Sequence, residues 1–230
     1  MTPDVQWRRY DLLDYGAALQ LQRERVAAIL AGSGGEGAAA VTDQLLLLEH
    51  PSVYTIGRSG RRQDVLPPLA DVPVVPVVES DRGGQVTYHG PGQLVVYVIC
   101  DLRPHALTSV RRHVFRLEET VIQTLALFGV MARRHLRHPG VWVGDAKIAA
   151  LGVRIDRGVA YHGFALNRAP DLNLFRGIVP CGLPHHPVTS LADLGVPVDR
   201  HTLEMQVLHA LRAVFDIHTL LPPLPTEARL

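Results

Sequence analysis

Apolar residues recur along this chain in two rhythms. Spacings of three and four mark helices. Between Asp14 and Leu30, the residues Tyr15, Ala18, Leu19, Val26, Ile29 and Leu30 share one face, and Asp14 stands at the cap position. A second stripe, Val110, Val114, Leu117, Val121 and Leu125, predicts a helix over 109–128, with Ser109 as N-cap and Gly129 as the stop. The third, Leu203, Val207, Leu208, Leu211 and Phe215, predicts one over 199–215.

Shorter runs read as strands. Residues 44–48 are almost wholly apolar, as a buried strand requires, and Pro51 closes them. Residues 53–56 end at Gly57. Pro73 and Pro76 push the strand-like 72–78 toward a sheet edge. Residues 85–89 and 93–100 flank the turn Gly90-Pro91-Gly92. A short segment over 130–133 precedes a strand over 141–143 and the turn Gly144-Asp145. Strands over 147–155 and 159–167 flank Arg157-Gly158, and a short helical turn is expected over 171–175. The Gly/Ala stretch 31–40 reads as a loop and the proline-rich 220–230 as a peripheral tail. Hairpins in two places, with helices in separate blocks, predict an α+β fold. The expectation is a mixed or antiparallel sheet with helices on one side, in one domain over 1–230.

Composition narrows the function. Of 230 residues, 47% are hydrophobic and 20% charged, as in an ordinary globular protein. A net charge of +1 argues against a nucleic-acid partner, which demands a basic excess. Cys100 and Cys181 are too few for a disulfide scaffold or a four-cysteine metal site. With no leader-like apolar stretch after Arg8 and Arg9, and no apolar run near ~18 residues, a cytoplasmic protein that does not cross a membrane is expected. Twelve histidines include only His135/His138 and His185/His186 as close pairs, so no metal site is expected. There is no GxxxxGK loop, no HExxH and no GxSxG elbow, and Gly90-Pro91-Gly92 leads into a strand where a dinucleotide loop would open a helix.

The 23 basic residues are 22 arginines and one lysine, Lys147. A GC-rich genome explains why lysine is rare. Lysine can release its proton where arginine cannot, so the survivor is a candidate for a task arginine cannot do.

Three glycine-punctuated blocks remain. In Arg82-Gly83-Gly84-Gln85-Val86-Thr87-Tyr88-His89, the glycines permit close backbone approach to a ligand. Alternation puts Gln85, Thr87 and His89 on one face, and Val86 and Tyr88 on the other. A hairpin with a polar outer face fits this block equally well. In Lys147-Ile148-Ala149-Ala150-Leu151-Gly152, the small residues leave room against a sheet, although a solvated hairpin lysine is the ordinary alternative. In Pro180-Cys181-Gly182, the glycine keeps the thiol accessible, whereas Cys100 reads as a buried apolar residue. A free thiol is mostly protonated at neutral pH and needs activation. An ammonium at about 4 Å would supply roughly 4 kcal/mol at an effective dielectric of about 20.

Together these blocks, with Tyr161-His162-Gly163-Phe164-Ala165-Leu166-Asn167, resemble the lipoyl(octanoyl) transferases of lipoate biosynthesis. The likeness spans 45–194, and the 34-residue step from Lys147 to Cys181 fits it. The resemblance implies a fold like the biotin/lipoate protein ligase catalytic domain, with a larger mixed sheet and a smaller sheet flanked by helices. It implies Cys181 as acyl-thioester nucleophile and Lys147 as its activator. Arg82 to His89, Ala150 to Gly152 and Gly163 to Ala165 would line the acyl site. It further implies octanoyl-acyl carrier protein as donor, and as acceptors the apo lipoyl domains of 2-oxoacid dehydrogenase complexes and the glycine cleavage H protein. A monomer needing neither cofactor nor ATP follows. An ATP-dependent lipoate–protein ligase and an inactive carrier-binding module are the alternatives. His89 and His162 read as structural histidines. Arg58, Arg61, Arg62, Arg111, Arg112, Arg133, Arg134 and Arg137 read as a solvated surface that could also meet an acidic carrier.

Overall fold

The computed structural model describes residues 4–32, 43–67, 69–103, 109–136, 138–179 and 187–221. Among these described residues, eight strands form the larger sheet. In chain order they are β1 (Asp4–Leu12), β2 (Asp43–Glu49), β6 (Gln93–Asp101), β7 (Arg133–Arg134), β8 (Val141–Val143), β9 (Ala146–Asp156), β10 (Val159–Asn167) and β11 (Thr219–Leu220). Their spatial order is β11-β1-β2-β6-β10-β9-β8-β7. β1 runs parallel to β2 and β11, and the remaining pairs are antiparallel. The smaller sheet has the order β4-β3-β5, from β3 (Val53–Ile56), β4 (Val77–Glu79) and β5 (Val86–His89).

Three helices pack on the larger sheet: α1 (Tyr15–Gly32), α2 (Val110–Ala126) and α3 (Arg200–Phe215). The three stripes read from the sequence face it and are largely buried, with Val110 at the start of α2 left exposed. Asp14 caps α1 through Gly16 N and Ala17 N (2.8 and 3.1 Å), and Asp199 caps α3 through Thr202 N (2.9 Å). Ser109 occupies the N-cap of α2, yet its side chain makes no cap hydrogen bond. No helix among the described residues is long and apolar enough to cross a membrane.

Two expectations are corrected. Helices cover both faces of the larger sheet. Leu45, Leu47, Leu94, Val96 and Val98 pack under α2 and α3, while Leu46, Leu48, Val95, Tyr97 and Ile99 pack under α1. Consecutive leucines in one strand need cover on both sides, and that is why residues 45–48 show no alternation. The Gly90-Pro91-Gly92 turn closes no hairpin either. It carries the chain from β5 in the smaller sheet to β6 in the larger. Glu49 Oε2 accepts from Gly92 N (2.7 Å), and Gly92 O accepts from Arg168 N and Ala169 N (3.1 and 2.9 Å), which pins the crossing.

β1 was not foreseen, because Arg8 and Arg9 interrupt its apolar pattern. Arg9 Nε instead pairs with buried Glu204 of α3 at 2.8 Å. Of the proline-broken 72–78 stretch, only Val77 and Val78 enter a strand, at the edge of the smaller sheet as expected. The helical turn expected over 171–175 is a 3-10 helix at Leu172–Gly177, capped by Asp171. Of 31–40, read as loop, residues 31 and 32 instead complete α1, and of 220–230, read as tail, Leu220 ends β11; all but 31, 32, 220 and 221 of these lie outside the described residues.

At Gly163, a Cβ would lie 2.2 Å from Val96 O, a backbone atom of the neighbouring strand. Gly163→Ala is expected to destabilise the fold by about 1–3 kcal/mol in urea unfolding, the usual cost of overpacking. Unchanged stability would mean that β6 and β10 separate more easily than this packing allows.

Candidate active site

The β9–β10 ladder brings small residues together. Ala150 faces Ala165 and Gly152 faces Gly163, so two adjacent rows of one face carry almost no side chain. Above them runs the strap 82–85. Gly83 N donates to Val153 O of β9 (3.0 Å), tying the strap to the larger sheet. Arg58 N and Ser59 N donate to Arg82 O and Gly84 O (3.0 and 3.1 Å), tying it to the loop after β3. Arg82 is buried, and its Nη2 donates to Thr55 O and Thr55 Oγ1 (both 2.8 Å). A Cβ at Gly152 would sit 2.9 Å from Arg82 Cδ and 3.0 Å from Gly83 O, so glycine is what lets strap and sheet approach.

Between strap and sheet lies a cavity of about 390 Å³. Its walls include Arg82, Gly83, Gly84, Gln85, Val86, Thr87 and His89, then Ala150, Leu151 and Gly152, then Gly163, Phe164 and Ala165, together with Lys147. The structure therefore gathers three sequence blocks around one space. Tyr88 is the exception. Its ring turns the other way, 5.2 Å from Phe175 and 6.0 Å from Tyr54, and its hydroxyl meets Ser52 Oγ at 3.1 Å. Cys181, with Pro180 and Gly182, lies outside the described residues, as does Arg137. Cys100 is fully buried, and burial pushes its thiol pKa well up.

Lys147 is 7% exposed, which removes the solvated-hairpin alternative. Its Nζ donates to Pro139 O (3.1 Å) and stands 4.9 Å from the centre of the Trp142 ring. Glu118 of α2 holds that neighbourhood, accepting from Gly140 N (3.0 Å) and pairing with Arg134 (3.2 Å). Burial raises the Glu118 carboxyl above its ordinary range, against the pull of these donors and of Lys147. On the other side, Lys147 N donates to Pro187 O (2.9 Å) and Thr189 N donates to Lys147 O (3.0 Å). The described chain thus resumes after Cys181 directly beside the lysine backbone.

Each of two cavity histidines is anchored through one ring nitrogen. His89 Nδ1 meets Gln93 Oε1 (2.7 Å), and Gln93 Nε2 donates to Asn167 Oδ1 (2.9 Å). Asn167 Nδ2 donates in turn to Thr189 O (2.9 Å). Burial, helped by His50 and Arg82, drives the His89 pKa well down, so its ring is neutral. His162 Nε2 lies 2.8 Å from Asp81 Oδ1, and burial lowers its pKa as well.

Residues no motif announced complete the walls: Tyr15 from α1, Val95 and Tyr97 from β6, Val110 and Val114 from α2, and the His138-Pro139 turn. Their positions come from packing, so only the helix and strand patterns hinted at them. Arg58, Arg61, Arg62, Arg111, Arg112 and Arg133 are exposed, and Arg134 stacks on Phe115 at 3.7 Å.

The two sheets, the helices and the cavity between strap and ladder have the architecture of the lipoate and biotin protein ligases. The chain belongs to the lipoyl protein ligase A/B catalytic domain family, whose model matches residues 14–212. It is 55% identical over 174 residues to a protein of Magnetococcus marinus named Octanoyltransferase, covering 76% of this chain and 79% of that one. It is 46% identical over 225 residues to an Octanoyltransferase of Acidiphilium cryptum, covering 94% of each. Among solved structures, a bi-partite lipoate protein ligase from Thermoplasma acidophilum aligns with a TM-score of 0.65 at 16% identity, over 97% of this chain and 88% of that one. A biotin protein ligase from Aquifex aeolicus aligns at 0.51 and 10% identity, over 94% and 70%. These two share the fold. The acyltransferase class and the two-sheet architecture expected from the motifs both hold.

Asp81 underpins the far wall. Burial alone would raise its pKa, but hydrogen bonds from His162, Arg23 and Tyr161 outweigh that and hold it well below the ordinary 3.8. A depressed carboxylate stabilises the fold above its unfolded pKa and loses that contribution as pH falls. In melting curves from pH 7 downward, wild type should exceed Asp81→Asn at neutral pH, and the gap should begin to close below about pH 4. A gap independent of pH would show that the ionised carboxylate adds nothing.

Proposed function

We propose that this protein moves an octanoyl group from octanoyl-acyl carrier protein to a lysine amine of apo lipoyl domains, through a thioester on Cys181. Those of 2-oxoacid dehydrogenase complexes and the glycine cleavage H protein are the expected acceptors. The observation that carries the reading is Lys147: the chain's one lysine, buried in the wall of a small-residue cavity, in a chain closely related to octanoyltransferases.

In the first half-reaction, Lys147 takes the Cys181 proton, the thiolate attacks the thioester carbonyl, the bond to the carrier sulfur breaks, and Lys147 returns the proton to that sulfur, so the carrier leaves as its thiol. Backbone N–H groups near Cys181 and the Leu151–Gly152 segment would hold the oxyanion. In the second, the acceptor amine attacks the acyl carbonyl. An amide bond forms, the bond to Cys181 sulfur breaks, and the amine proton passes to Lys147 and on to the departing thiolate. Thioester to amide is downhill, so no nucleotide is needed. The apolar floor would bind the acyl chain at ~0.8 kcal/mol per CH₂, on the order of 5 kcal/mol before ordering costs.

Incubation with octanoyl-acyl carrier protein, without ATP, should add one octanoyl group to Cys181 by intact mass, and Cys181→Ala should show none. Absence of the wild-type adduct would overturn the transferase reading, and transfer that requires ATP would favour a ligase. Lys147→Arg keeps the charge but cannot take up a proton, so it should lose at least about 100-fold in transfer rate, in the range of general acid–base catalysis. Near-wild-type turnover would reduce Lys147 to an electrostatic neighbour.

A further inference from the structure

His162 is anomalous within β10. Its φ is +62°, in the left-handed region that side chains rarely adopt. Its amide N–H donates to Gln22 Oε1 of α1 (2.9 Å). This conformation brings two consecutive side chains to the same carboxylate. Tyr161 Oη donates to Asp81 Oδ2 and His162 Nε2 to Asp81 Oδ1, each at 2.8 Å. The His162 ring is 1% exposed, lines the cavity, and carries an Nδ1 with no hydrogen-bond partner among the described residues. With Nε2–H committed to Asp81, Nδ1 presents a lone pair.

We infer that His162 limits the length of acyl chain the cavity accepts, by setting an unpaired buried acceptor at the end of an apolar trough. The inference rests on the acyl-transfer reading above, with the acyl carbonyl at the Lys147 end. His162 pairs with Val153 of β9, and the small rows Ala150–Ala165 and Gly152–Gly163 lie between that position and Lys147. The Lys147 head group reaches forward along β9 to the level of Ala149, since a Cβ at Gly140 would lie 3.3 Å from Lys147 Nζ and 2.8 Å from Ala149 O. From the next residue, Ala150, to Val153 is roughly 10 Å at about 3.3 Å per residue, about the reach of an extended eight-carbon chain. Tyr97, a wall residue of the cavity, flanks this end, its ring 6.0 Å from that of His162. An acyl chain that stops short leaves Nδ1 able to accept from water. A longer one presses methylenes onto it and excludes any donor, and a buried acceptor left unmade is costly. Selection then depends on polarity as well as size.

The test compares octanoyl, decanoyl and 10-hydroxydecanoyl thioesters on the wild-type enzyme. Decanoyl should fall about tenfold or more below octanoyl in kcat/KM, and the terminal hydroxyl, which can donate to Nδ1, should restore most of that loss. His162→Leu should narrow the octanoyl preference. His162→Asn, which keeps an acceptor near the Nδ1 position and tolerates positive φ, should preserve it, with melting temperatures reporting the fold. Equal losses for the plain and hydroxylated ten-carbon chains, or an unchanged ranking in folded His162→Leu, would overturn the inference. If no thioester is transferred, octanoyl included, the transferase reading fails. Calorimetric binding of octanoic, decanoic and 10-hydroxydecanoic acids then decides the role of His162, with the same ranking expected and its absence overturning it.

Discussion

Two sheets that share no strand must be held a fixed distance apart, and the strap at 82–85 sets that distance. Its central cation, Arg82, is buried and reaches the Thr55 carbonyl and hydroxyl of the smaller sheet. One residue on, Gly83 hydrogen-bonds Val153 of the larger sheet. Removing one partner of a buried charge costs several kcal/mol, so this arrangement has little freedom to relax. The glycines follow from it. Any side chain at Gly57 or Gly152 would collide with the strap or with Arg82 itself. The space left between strap and ladder is the cavity.

Lys147 is held from more than one side. Its ammonium meets a carbonyl and an aromatic face, and Glu118 is spent on Gly140 and Arg134, one step removed. The carbonyl and the ring fix where the head group sits in the cavity wall. On the backbone side, the polar chain His89–Gln93–Asn167–Thr189 runs from the smaller sheet to the Lys147 carbonyl. It registers the two halves of the site against each other.

Much of this was legible in the chain. The helix stripes and the strands at 53–56, 93–100, 147–155 and 159–167 rest on local periodicity, which tertiary packing preserved. Leu45 to Leu48 signal a buried strand, and a run apolar on both faces also implies cover on both faces, which the separate helix blocks alone do not reveal. The 85–100 segment misled because a glycine-proline turn between two strands is compatible with a hairpin and with a sheet crossing. The strand partners distinguish them, β3 for β5 and β2 with β10 for β6, and these come from distant parts of the sequence. The glycine-rich motifs exposed the cavity because close approach demands a specific residue type. Tyr15, Tyr97, Glu118 and the left-handed turn at His162 carried no such demand. They reach the site through the packing of α1, β6 and α2.

The central claim is that the acyl group passes through Cys181 on its way to an amine. It is tested most directly by a single-turnover chase. Labelled octanoyl-enzyme is isolated free of carrier protein and mixed with an apo lipoyl domain in the absence of ATP. The label should leave the enzyme and appear as amide on the acceptor lysine, at least as fast as steady-state turnover. A thioester that persists while turnover proceeds, or that transfers only when ATP is added, would contradict the account.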